Sequence, residues 1–87
     1  MTSQESALGR AQVVKQKYEA ELLRKKNTVG VGIGFKRRQG QLTNQVAIVV
    51  NVRKKVAKAD LDPEDLIPET LEGIPVDVLE VGAIEAR

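Results

Sequence analysis

Val29-Gly-Val-Gly-Ile-Gly-Phe35 alternates an apolar side chain with none at all. A period of two admits a strand and little else, because a helix would place both kinds of residue on every face. Val29, Val31, Ile33 and Phe35 form one face; Gly30, Gly32 and Gly34 leave the other bare. A bare face lets a backbone, a helix or a partner surface come close, at a cost in strand propensity. The glycines do not form a phosphate cradle. No glycine is followed by lysine, as a P-loop requires. Counting Gly-x-Gly-x-x-Gly from Gly30 or Gly32 ends on Phe35 or Arg37, so the dinucleotide pattern fails as well.

The rest of the chain is organised around that strand. Gln45-Val-Ala-Ile-Val-Val-Asn-Val52 is β-branched and apolar, a second and more central strand. Residues 36–44 are polar, contain Gly40 and read as a hairpin connection. Upstream, Ala7, Ala11, Val14, Tyr18 and Leu22 recur at helical spacing. Thr2 and Glu5 have capping-box spacing, and Arg24-Lys-Lys26 with Asn27 supplies a cationic last turn and a left-handed stop. Downstream, Asp62-Pro63 starts a short helical turn limited by Pro68, and Val76-Asp-Val-Leu-Glu-Val81 is a third strand. The residues after it read as a frayed tail. The expected fold is a single small α+β domain over residues 1–87, with two layers. A helix over about 4–26 packs on a mainly antiparallel sheet of three strands, about 28–36, 45–53 and 75–81.

Charge is divided along the chain. Residues 1–58 carry thirteen Lys/Arg against three acids, a net +10; residues 59–87 carry nine acids against Arg87, a net −8. Asymmetry of this size bears on association rather than fold. The chain has no cysteine and no histidine, so thiol nucleophiles, histidine triads and histidine or thiolate metal sites are excluded. Asp62, Glu64 and Asp65 sit where acids stabilise a helix start, which explains them without catalysis. The composition implies no enzyme, no metal and no cofactor. No signal peptide or membrane-length apolar run is present. The expected setting is the cytoplasm.

Three stretches together resemble a known family. They are Val29-Gly-Val-Gly-Ile-Gly-Phe-Lys36, Ala47-Ile-Val-Val-Asn-Val-Arg-Lys-Lys55 and the block running from Asp62-Pro-Glu-Asp-Leu-Ile-Pro68 through Gly73-Ile-Pro-Val-Asp-Val-Leu-Glu-Val-Gly82. In this order they resemble the N-terminal segment of bacterial trypsin-like peptidase-family proteins, over about residues 28–82. The resemblance implies an accessory module, here free-standing and without the protease-like domain. It carries over no catalytic residue.

The functional expectation is a non-catalytic protein-interaction or assembly module, self-associating or bound to a protein partner. Its interaction residues are Gly30, Gly32 and Gly34, the cations Lys36, Arg37, Arg38, Arg53, Lys54 and Lys55, and the acids Asp62, Glu64 and Asp65. The alternative is a nucleic-acid-binding module working through the same cations. Sheet-based single-strand binders stack bases on aromatics, and this chain has only Tyr18 and Phe35, both of which read as core. Neither a membrane nor a small-molecule substrate is expected.

Overall fold

The computed structural model describes residues 3–81, with the side chains of residues 3–5 and 58 excepted. The capping-box residue Thr2 and the tail 82–87 lie outside the described residues. Helix α1 spans Ser3–Arg24, β1 Thr28–Arg38 and β2 Gln41–Val52. Two 3-10 turns, Lys58–Asp60 and Pro63–Asp65, precede β3 (Thr70–Leu71) and β4 (Ile74–Glu80). The sheet order is β1-β2-β4-β3.

This is the expected α+β arrangement of a helix on a sheet, with a corrected sheet. There are four strands rather than three, and the pairing is mixed. β1 and β3 run antiparallel to their neighbours β2 and β4, but β4 is parallel to β2, with Ile48 beside Val76 and Val50 beside Val78. The reason is the connection. Residues 53–69 leave the end of β2 and travel back along the sheet, so β4 starts where β2 is mid-course and runs with it. Parallel neighbours need a crossover of this kind.

Both hairpins turn through two residues in the left-handed region, Gln39-Gly40 (φ 52° and 82°) and Glu72-Gly73 (φ 50° and 82°). Two consecutive positive φ values match the twist of an antiparallel pair, and glycine takes the second position without a Cβ penalty. The polar stretch 36–44 is therefore mostly strand, with a two-residue turn in place of a long connection. The second turn creates β3, which the sequence pattern does not announce.

The core lies between α1 and the sheet. Ala11, Val14 and Leu22 meet Val46, Ile48, Val50 and Val52 of β2 and Leu71, Ile74 and Val76 beyond them. Ala7, Tyr18, Val31, Ile33 and Val78 pack against this cluster. Phe35 does not: it is 39% exposed, contrary to its reading as core. It sits at the register shift between Phe35 and Arg37, and such an irregularity bends the strand end away.

Candidate functional site

Alternation places the glycines. Val31 and Ile33 pack toward the helix, so Gly30, Gly32 and Gly34 face away from it, opposite Asn51, Val49 and Ala47 of β2. The close approach at two of them comes from within the sheet. A Cβ on Gly30 would lie 3.3 Å from Asn51 Nδ2, and one on Gly34 would lie 3.1 Å from Val49 Cγ2. At Gly32 a Cβ would meet nothing within 4 Å. That one position leaves the outer face open.

The cations separate into two ends. At the far end of β1, Lys36 reaches past β2 to β4: its Nζ donates to Val76 O at 3.0 Å and lies 3.8 Å from Asp77 Oδ1. The register shift frees the Arg37 amide, which donates to Asp77 Oδ2 at 3.1 Å, and Arg38 donates to Gln45 Oε1 at 3.0 Å. Lys36 and Arg38 thus hold the sheet together.

At the other end the fold merges two basic triplets. Asn27 takes the left-handed conformation (φ 76°) that turns α1 into β1. Its side chain donates to Lys54 O and accepts from Lys54 N, while its carbonyl accepts from Arg53 N. Arg24-Lys25-Lys26 therefore lies beside Arg53-Lys54-Lys55. The predicted acids arrive at the same end. Lys25 Nζ donates to Glu64 O at 2.8 Å, Lys26 N to Asp65 Oδ1 at 2.9 Å, and Lys55 N to Glu80 Oε1 at 2.8 Å. Asp62 begins the 3-10 turn with proline at its first position, yet its side chain makes no cap bond. Asp62, Glu64 and Asp65 bring carboxylate oxygens within 4.8 Å of one another, and Asp65 is already engaged by the Lys26 amide in the turn after α1.

Sequence reasoning missed two features. One is a clamp between α1 and the β3–β4 turn. Lys17 Nζ lies 2.7 Å from Glu72 Oε2, the Tyr18 hydroxyl donates to the same oxygen at 3.0 Å, and Arg10 reaches Glu72 O at 3.5 Å. The hydrogen bond from Lys17 holds the Glu72 carboxyl below its ordinary pKa; the hydrogen bonds to Glu72 push Lys17 and Tyr18 upward. Glu72 gives no sequence signal, because only the turn brings it under the helix. The other feature is a pocket at the merged basic end, between the turn after α1, the end of β2, the crossover and Val78 of β4. Its trace in the sequence is faint: Val56, Leu61 and Leu66 are single apolar residues in a polar stretch.

Among the described residues the chain is a small two-layer α+β module, with β1 at a sheet edge, an open face at Gly32 and two basic triplets merged at one end. The chain belongs to the NARROW LEAF 1 N-terminal domain family, whose model matches residues 6–81. It is also similar to Protein NARROW LEAF 1 of Oryza sativa subsp. japonica, at 39% identity over 56 residues. That stretch covers 64% of this chain and 10% of the rice protein. The chain therefore spans about a tenth of the length of its curated relative.

This membership overturns the resemblance to bacterial trypsin-like peptidase proteins, and the bacterial, accessory-segment setting falls with it. The stretches behind that resemblance encode strand alternation and proline-bounded turns. Such patterns describe a fold's local geometry, not its lineage.

Proposed function

We propose that this domain is a non-catalytic protein-interaction and assembly module that docks through the open edge of β1, with a second copy of the chain as its occupant. The carrying observation is β1 itself. It is 11 residues long, lies at the end of the sheet order and pairs on one side only among the described residues. A long edge is a template for another strand, and an antiparallel copy about a two-fold axis is complementary to it. Gly32 adds no side chain to obstruct approach. The non-catalytic reading is supported by the lack of histidine and cysteine, and the shifted groups Lys17, Tyr18 and Glu72 join into an exposed structural clamp.

Register shifts at both ends confine regular pairing to residues 30–35. A two-fold centred there brings Lys36-Arg37-Arg38 of one copy near Lys26 of the other, so screening should tighten the dimer. Contact between opposite charges would do the reverse. Sedimentation from micromolar to millimolar concentration should show a dimer that strengthens with salt. G32K enters open space within the monomer but sets like charges across the axis, and should abolish association. A monomer at every concentration, or an unimpaired G32K dimer, overturns the reading.

A second reading, nucleic-acid binding, is favoured by one observation, the merging of Arg24-Lys25-Lys26 with Arg53-Lys54-Lys55. Against it, the described part of that end presents no aromatic for base stacking.

A further inference from the structure

The pocket at the basic end has an apolar floor of Val52, Ile67 and Val78, with Val56, Leu61 and Leu66 as its walls. Its charged lining is Lys26, Lys54 and Lys55 with a single acid, Asp65. Val56 and Leu66 remain 40% and 37% exposed, so apolar surface faces the opening. The rim backbone is held in place: Asn27 grips both the carbonyl and the amide of Lys54, and Glu80 accepts from the Lys55 amide. The Lys26, Lys54 and Lys55 ammonium groups have no ion-pair partner among the described residues. A fixed apolar hollow therefore carries a net positive mouth, three ammonium groups against the one lining carboxylate of Asp65, which is already held by the Lys26 amide.

Size selects the occupant. The pocket holds about 190 Å³, below the roughly 300–1,000 Å³ of small-molecule sites. That is room for one apolar side chain. Charge selects what flanks it, because carboxylates on either side of an anchor would meet the lysines. We infer that this pocket is a docking site for an acidic peptide segment of another protein, which inserts one apolar side chain between Val52, Ile67 and Val78 and sets its carboxylates against Lys26, Lys54 and Lys55. Oligonucleotides would satisfy the lysines but leave the apolar floor unused, and no aromatic lines the pocket to stack a base. The inference rests on the protein-interaction reading but not on the β1 edge, at the far side of β2 from β4. The sedimentation and peptide experiments therefore fail independently.

The test is a titration of the full chain with a fluorescent capped peptide, Asp-Glu-Leu-Asp-Glu, at low salt. Binding should saturate, weaken with salt, and shift the methyl resonances of Val52, Val56, Leu66, Ile67 and Val78. Replacing the peptide leucine by alanine should weaken binding about tenfold or more, the effect of losing one buried anchor. K54E/K55E changes side chains whose ammonium groups make no ion pair among the described residues, and should abolish binding while the helical circular dichroism stays unchanged. No saturable binding, equal binding of the alanine peptide, or methyl shifts elsewhere would overturn the proposal. So would displacement of the peptide by oligothymidylate acting on the same methyls, which would assign the site to nucleic acid.

Discussion

Glu72 shows how one residue acquires a role through its position. It occupies a left-handed turn (φ 50°), a conformation that residues with a Cβ, glutamate included, adopt uncommonly, and that turn presents its carboxylate to Lys17 and Tyr18. Its lowered pKa means the folded state holds its proton less tightly than the unfolded chain does. The stabilisation is thus present above the ordinary carboxylate range and lost as pH falls through the folded value. Lys17 and Tyr18 are raised, so their share is present below their ordinary values and lost as pH rises through the folded ones. Thermal melts across pH should show a plateau through neutrality that falls at both the acid and the alkaline limit. E72Q should flatten both shoulders relative to the parent. Unchanged shoulders would show that the clamp does not contribute. None of this was legible beforehand, since Glu72 in sequence is one acid among nine in the last 29 residues.

At the scale of elements, α1 was the most legible. The residues spaced for one face are the ones that pack: Ala11 and Leu22 are fully buried, while Val13 on the opposite side is 66% exposed. Leu22→Ala should cost about 2–5 kcal/mol by leaving a cavity; Val13→Ala should change stability by less than about 0.5 kcal/mol. Urea denaturation of the two variants checks the contrast. The strands were legible as strands for the same reason, a period matched to backbone geometry. Their neighbours were not. β3 has two residues, too few to show a period, and the parallel pairing of β2 with β4 depends on the path of residues 53–69. The glycine face was correctly separated from the apolar face. Only the register showed that Asn51 and Val49 lean over Gly30 and Gly34, leaving Gly32 open.

Across the whole molecule, the charge division becomes internal architecture. The acidic half folds against the basic half through Lys17–Glu72, Lys36–Asp77 and the contacts of Lys25 and Lys26 with the Pro63–Asp65 turn. The core is likewise shared, with Leu71, Ile74 and Val76 completing what α1 and β2 begin. Neither half should hold its structure alone. The loss of helical circular dichroism and of the native Ile74 and Val76 methyl signals should therefore coincide in urea. Separate transitions would contradict the shared core. No helix among the described residues is long and apolar enough to cross a membrane. By itself the sequence determined the α+β class, the buried face of α1, the two long strands and the exclusion of histidine and thiol chemistry. These follow from side-chain type and from periods of 3.6 and 2, which are local. Tertiary structure alone decided the strand order, the mixed pairing, the Glu72 clamp, the merging of two basic triplets and the pocket between them. Each depends on where residues distant in sequence meet, and no local period records that.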